Sequence, residues 1–456
     1  MIKIENLIIG AGLTGLTTAY NLSSAGKKVI VLEKSNKPGG VIQTMQKDSF
    51  VYESGPNSGV IAHSEVFRLF DELNQSCSLE TANEKSKKRL IWKNNNWHAL
   101  PSGLFSAVGT PLFSLKDKFR ILGEPFRSKG NNPDENVADL VRRRLGRSFL
   151  DYAVDPFISG IYAGDPEKII TRYALPKLYN LEQDYGSFII GAIKKKKEIM
   201  PQGEKRPTRE VFSAAGGLGK LIEALKKSIG PDSIKFGCEK IHVERKGKSY
   251  ITTFIKDKSK IKIESDNVIS TVGAYALPEI LGFLTKEDLK PVTDLEYAKV
   301  IQVAVGFKKW SGIKLDAFGG LVPSVENRKI LGVLFTSSIF SNRAPAEGAL
   351  LSVFMGGIKN KNVMKLSDNE ITQTVFNEIS PMLGVKNFSP DILEIFRYEN
   401  AIPQYGIDSG SRLDRISQLE KKFPGLYLAG NIRDGIGMAD RIRQSANISK
   451  IIIAKK

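Results

Sequence analysis

Apolar residues enter the chain in short unbroken runs. Residues 4–9 form one run, residues 13–25 carry helical spacing, and residues 29–32 form a second run. Runs of this length predict buried strands, the segment between them predicts a helix, and Gly26 predicts its stop. The order returns at the far end: residues 426–428 read as a buried strand, "AGN" as a turn, and "GIGMADRIRQSANISK" as a helix opening on glycines. Between the ends, the alternating positions Ile241 and Val243, then Ile251, Thr253 and Ile255, predict a β-meander. A strand–turn–helix follows in "DNVISTVGAYALPEIL". The pattern as a whole predicts an α/β protein with a Rossmann-like sheet. One stretch, "FISGIYAGDP" at 157–166, is too apolar for a surface turn and too rich in glycine for a good helix. By itself it reads as a break between two helical segments.

The glycines sit where strand meets helix. Gly10, Gly12 and Gly15 spell G-x-G-x-x-G, and Glu33 ends the following strand. In that context Gly10 permits a tight turn, Gly12 lets backbone approach a pyrophosphate, and Gly15 lets helix and strand pack closely. The helix N-terminus offers free N–H groups to phosphate, and a carboxylate at Glu33 can accept both ribose hydroxyls. This predicts a dinucleotide site and leaves NAD and FAD open. Gly39 and Gly40 follow the second strand; Gly430, Asn431, Gly437 and Met438 occupy the equivalent turn and helix start at the far end.

Composition narrows the class. A chain of 456 residues with 41% hydrophobic content predicts a globular protein of two or three domains. Its two cysteines, Cys77 and Cys238, are far apart, which argues against a disulfide framework or zinc site and for a reducing compartment. The net charge of +18 fits either attraction to anions or a lysine-rich surface such as "KKKK" at 194–197. Basic residues are scattered and no recognition motif accompanies them, so nucleic acid is not expected. No apolar run is long enough to span a bilayer, and the chain enters a strand almost at once, leaving no room for a signal peptide. A cytoplasmic protein, peripherally membrane-associated at most, is expected. His63, His98 and His242 fall in no metal or triad pattern and read as surface or packing residues; no metal is expected. Without an acid–base or nucleophile motif, the chain suits a cofactor that carries the chemistry.

The glycine pair and both chain ends resemble the flavin amine oxidase superfamily. With "YESGPNSG" (52–59), "FISGIYAGDP" (157–166), "GVLFTSSIFSNRAP" (332–345), "AIPQYGI" (401–407) and "AGNIRDGIGMADRI" (429–442), the full chain resembles the oxygen-dependent, FAD-containing protoporphyrinogen oxidases. The resemblance implies oxidation of protoporphyrinogen IX to protoporphyrin IX by repeated hydride loss to FAD, with dioxygen reoxidising the flavin to hydrogen peroxide. It implies FAD contacts from the glycines above, Glu33, Lys34, Gly55, Pro56, Asn57, Ser58, Asn431 and Met438. Cys238 falls at an adenine-contacting position, although a core thiol accounts for it equally well. Arg89 matches an arginine that engages a propionate, Leu321 and Leu334 match aliphatics that clamp one ring, and Phe354 matches the group stacking on its other side. Without the family, the last three are ordinary strand-core residues. Gly160 and Gly164 match a segment over the flavin, where an exposed carbonyl would orient a leaving N–H proton.

The implied architecture is an FAD domain at 1–60, 205–275 and 415–456, a mixed-sheet substrate domain at 61–84 and 276–414, and a helical domain at 85–204. Within the last, "GLFSAVGTPLFSL" (103–115) is a candidate for lipid contact, or else a channel or core segment. A homodimer and hand-over of product to a ferrochelatase or other chelatase complete the implied partners. Coproporphyrinogen III oxidation on the same fold is the nearest alternative. An amine oxidase or carotenoid desaturase, and a tetrapyrrole-binding flavoprotein without turnover, stand further off.

Overall fold

The computed structural model describes residues 2–101, 109–197 and 207–455. Its first sheet is built on the N-terminal strand Ile2–Ile9, which pairs in parallel with Val29–Leu32 on one side and Ser259–Ser270 on the other. Leu426–Leu428 extends the parallel core, and Ile234–Lys235 pairs beyond Val29–Leu32. Val29–Leu32 and Leu426–Leu428 are buried throughout, as strands covered on both faces must be. One face is covered by the helices Leu13–Ser24, Gly219–Ile229 and Met438–Ala454, whose apolar sides share a single core. The two chain ends meet there, with Ser445 Oγ donating to Thr14 O at 2.9 Å.

The meander forms as Glu239–Lys246, Ser249–Lys256 and Ser259–Ser270, antiparallel in sequence. Tyr250, Thr252 and Phe254 are fully buried, while Ile251, Thr253 and Ile255 form the half-buried opposite face. Aromatic volume therefore decides which of two alternating faces turns inward.

A second sheet runs in the order Ile392–Pro403, Tyr297–Phe307, Ala349–Gly356, Gly332–Leu334, Gly319–Leu321, Arg89–Lys93, Asn96–Ala99. One face packs Val303, Val333, Val353 and Met355 against the helix Asp368–Leu383. The other face turns toward the first sheet. There Gln302 Nε2 donates to Glu53 O at 2.7 Å, Ser352 Oγ to Asn57 Oδ1 at 2.8 Å, and Tyr398 OH to Ser54 O at 2.7 Å.

Residues 109–197 are mainly short helices. They are tied together by a buried ionic cluster: Arg144, wholly inaccessible, pairs with Glu124 at 3.1 Å and Glu182 at 2.7 Å. Glu182 also receives Arg143 at 2.8 Å.

"FISGIYAGDP" departs from its sequence reading. Asp155–Ile161 is an α-helix continuing from a π-turn at Leu150–Val154, so the helix reaches past Gly160 and stops only at Tyr162. Tertiary packing overrides glycine's low propensity: a Cβ on Gly160 would lie 2.4 Å from Leu321 Cδ2, so without a shift of the Leu321 side chain only glycine fits where this helix meets the second sheet. Residues 103–108 of the 103–115 lipid-contact candidate lie outside the described residues; in the remainder Leu112 and Phe113 are buried and Leu115 is exposed.

Candidate active site

The first cradle is built at the end of Ile2–Ile9. Gly10 takes φ +101°, a left-handed conformation that favours glycine, and its N–H donates to Leu32 O at 2.8 Å. A Cβ on Gly15 would fall 1.9 Å from Gly10 O, so helix and turn can touch only without one. Gly12 caps the helix with no side-chain hydrogen bond, and a Cβ there would meet nothing within 4 Å. Open space thus stands before a helix N-terminus, which a phosphate can enter. Gly39 N–H donates to Ala11 O at 2.7 Å, and Gly40 faces Gly12 across that space.

Glu33 closes the cradle. Its Oε2 accepts Ala11 N–H at 2.7 Å, and its Oε1 accepts the Ser35 N–H at 2.8 Å and hydroxyl at 2.9 Å. Lys34 is exposed beside it. Cys238 donates its N–H to Glu33 O at 2.9 Å, but its thiol is fully buried among Leu7, Ile30, Leu32 and Phe254. Burial raises that thiol's pKa, against reactivity.

The second cradle is the turn after Leu426–Leu428. Gly430 takes φ +86° and lies against Thr271 O, while its N–H donates to Gln444 Oε1 at 2.9 Å. Asn431 Oδ1 lies 3.5 Å from Tyr297 OH. Gly437 caps the C-terminal helix, its N–H bonded to Asp440 Oδ2 at 3.1 Å, and buried Met438 begins that helix. Thr271 links the two cradles, since its Oγ1 also donates to Gly10 O at 3.1 Å.

Gly55, Pro56, Asn57 and Ser58 bridge the cradles to the second sheet. A Cβ on Gly55 would sit 2.1 Å from Val41 O. Glu53, just before them, is buried and accepts Leu218 N–H and Thr44 Oγ1 at 2.8 Å each. Desolvation lifts its pKa despite those bonds.

The apolar wall lies on the second sheet's inner face. Register places Leu321, Gly332 and Phe354 side by side on three adjacent strands. Leu334 occupies the same face two residues further along its strand, opposite Gly319 and Ser352. With strands about 4.8 Å apart, the backbones of Leu321 and Phe354 lie roughly 9–10 Å apart, with Gly332 as the floor between them. All three apolar side chains are half-buried and so free to contact a ligand. Leu321 leans across this floor and against Gly160.

Arg89 pairs with Gly319 at the same edge, exposed, its guanidinium 5.1 Å from the Phe318 ring centroid. Among the described residues no carboxylate pairs with it. Beyond Gly160 the helix ends irregularly: Gly164 N–H donates to Ile158 O at 3.3 Å, and Ala163 takes φ +47°. Gly160 O is therefore not the acceptor for Gly164 N–H. A Cβ on Gly164 would meet Gln404 Oε1 at 2.8 Å.

The structure thus brings Gly160, Leu321, Leu334 and Phe354 together, with Arg89 at the rim. It adds Gly332, a bare glycine whose role only strand register reveals. It also adds His63, read from the sequence as a surface or packing residue, whose Nε2 lies 2.9 Å from Asp440 Oδ1 beside the C-terminal helix start. No spacing links residues so far apart in the chain.

Two glycine cradles at helix N-termini, one with a ribose-type carboxylate, facing an apolar wall, define a flavin-nucleotide oxidoreductase. The space at Gly12 and the close backbone at Gly10, Gly15 and Gly430 fit the diphosphate of such a cofactor. A model of the flavin containing amine oxidoreductase family matches residues 13–441, and the chain belongs to that family, with FAD as its cofactor. It is 28% identical to the mitochondrial protoporphyrinogen oxidase of Nicotiana tabacum, over 98% of this chain and 94% of that one. It is 25% identical to the coproporphyrinogen III oxidase of Bacillus subtilis, over 97% and 96% respectively. A solved structure from Exiguobacterium sp. shares the fold at a TM-score of 0.82, with 21% identity over 100% of this chain and 99% of its own.

Proposed function

We propose that this FAD-dependent oxidase converts protoporphyrinogen IX to protoporphyrin IX. The observation that carries the reading is the apolar wall of Leu321, Leu334 and Phe354 beside Gly332, with one exposed arginine at its edge. Bound FAD supplies the two-electron acceptor for each oxidation, and dioxygen regenerates it with release of hydrogen peroxide. The chain's own residues bind, orient and exclude water. Leu321 and Leu334 hold one side of a pyrrole ring, Phe354 holds the other, and Arg89 pairs with a propionate. Gly160 lets the macrocycle approach backbone closely, and its carbonyl orients a departing N–H proton.

The same reading assigns Gly10, Gly12, Gly15, Glu33, Lys34, Gly39, Gly40, Gly55, Pro56, Asn57, Ser58, Gly430, Asn431, Gly437 and Met438 to FAD. Cys238 supports the adenine end through backbone next to Glu33, its thiol being core. We retain the division into a discontinuous FAD domain, a substrate domain and a helical domain, which the two sheets and the helical stretch support. We extend the reading to peripheral contact with an anionic bilayer. Leu115, Phe119 and Leu122 share one helix face at 70–72% exposure, Phe126 is 90% exposed, and Lys116, Arg120, Arg127 and Lys129 flank them. Passage of product to a chelatase, and a homodimer, follow from the resemblance alone.

The test is aerobic turnover of the purified protein on protoporphyrinogen IX and on coproporphyrinogen III, followed by porphyrin fluorescence. Faster appearance of protoporphyrin supports the proposal. Turnover of coproporphyrinogen alone replaces it with the other tetrapyrrole reading.

A further inference from the structure

Arg441 lies in the first turns of the C-terminal helix and is only 7% exposed. Its Nη1 donates to Gln444 Oε1 at 3.1 Å, and its Nη2 donates to Arg433 O at 2.7 Å and Gly435 O at 2.8 Å. Its Nε has no partner. All its acceptors are neutral, and among the described residues no carboxylate lies within ion-pair distance of it. The two nearby acids are engaged elsewhere. Asp434 pairs with Arg433 at 3.2 Å and accepts Gln444 Nε2 at 2.8 Å, while Asp440 pairs with His63 at 2.9 Å. A buried guanidinium bonded only to neutral acceptors is costly, and burial lowers its proton affinity although Asp440 and Asp434 nearby oppose the shift.

Its position suggests what that charge meets. Gln444 Oε1, which accepts from Arg441, also accepts Gly430 N–H at 2.9 Å, so the cation stands one side chain behind the Gly430 turn. Thr271 joins that turn to the Gly10 cradle. Gly39 and Gly40 bring no buried cation: Val41 follows them, and Lys34 and Lys37 are exposed.

We propose that Arg441 is the buried counter-charge for the diphosphate of the dinucleotide cofactor, acting from beneath the Gly430 turn. The proposal rests on the assignment of both glycine cradles to FAD. Backbone N–H groups and the helix N-termini give the diphosphate direction, and Arg441 gives it an opposite charge in a medium that screens weakly. Without cofactor the cation has no ion-pair partner among the described residues; the diphosphate supplies one.

The test compares FAD affinity of the full-length chain, stripped of flavin and titrated by quenching of flavin fluorescence, in Arg441→Lys and Arg441→Gln. Both variants shorten the side chain and keep a donor for the loop carbonyls, but only lysine keeps the charge. The expected result is Kd within about threefold of wild type for lysine and about 30-fold weaker for glutamine, with similar melting temperatures for the two flavin-free proteins. Equal affinities for the two variants would overturn the proposal. So would a loss of affinity in Arg441→Gln matched by a lower melting temperature than Arg441→Lys, because that marks a loop staple. Should Arg441→Gln fail to fold, Asp434→Asn carries the test on an accessible side chain. Removing that opposing charge should tighten FAD by about threefold, and unchanged or weaker binding would overturn the role. A wild-type chain that takes up no FAD defeats the cradle assignment itself, whereas FAD uptake without a charge effect defeats only the role of Arg441.

Discussion

Gly160 concentrates the reading of the wall in one missing Cβ. A side chain there would strike Leu321, whose branch already lies over Gly332. Gly160→Val should lower kcat by about 100-fold, because displacing a positioning contact by an ångström has that scale of effect. FAD content should be unchanged, since both cradles lie on other elements. Steady-state kinetics alongside the flavin spectrum check this, and unimpaired turnover would remove Gly160 from the site. Residue chemistry was legible where the backbone demands glycine. Gly10, Gly15 and Gly430 are forced by φ or by contact with neighbouring backbone, and the sequence marks such places with the one residue that fits. Arg441 and His63 were not legible, because their meaning lies in partners that only folding assembles.

At the scale of elements, the helical stretch depends on charge more than on area. Burial alone would raise the Glu182 pKa, but hydrogen bonds from Arg143 and Arg144 outweigh it and hold the carboxyl below its ordinary range. A folded-state pKa below the unfolded one contributes stability above the unfolded value, near 4.3, and loses it as pH falls through the folded value. Glu182→Gln should therefore destabilise this stretch by about 1–3 kcal/mol at neutral pH, by removing one of the two carboxylates that pair with buried Arg144 and leaving Glu124 as its sole ion partner. The difference from wild type should start to shrink once pH falls below the unfolded value, near 4.3, and vanish only when pH has passed through the lower folded-state pKa and the wild-type carboxylate is itself protonated. Hydrogen exchange of residues 137–197 against pH measures both. Strand–turn–helix units were readable from their periodicity, but the helix through Gly160 was not. It is held by tertiary packing, Ile158 and Tyr162 in the core of the helical stretch and Gly160 against Leu321, contacts between residues far apart in sequence.

The whole molecule joins a parallel sheet that cradles a dinucleotide to a second sheet whose inner face carries the apolar wall. Segment 53–59 spans the two through Gln302, Ser352 and Tyr398. The order of elements gave away the first sheet, because both of its ends read as strand, glycine turn and helix. Pairing in the second sheet could not be read, since Arg89–Lys93 joins Gly319–Leu321 across more than two hundred residues and no local signal fixes that register. The net charge of +18 also takes on meaning at this scale, where cations border the exposed Leu115–Phe126 face. Phe119→Ser with Phe126→Ser should weaken binding to vesicles containing phosphatidylserine by about tenfold or more while sparing turnover in detergent. Unchanged co-sedimentation would remove the bilayer from the account.

The central claim is that electrons pass from a porphyrinogen held on the apolar wall to FAD held in the cradles. Anaerobic mixing of the FAD-loaded protein with protoporphyrinogen IX tests it without relying on the oxygen step. The account predicts bleaching of the flavin absorption in the absence of air, then its return with red porphyrin fluorescence when air is admitted. A flavin that stays oxidised, with no porphyrin formed, would contradict it.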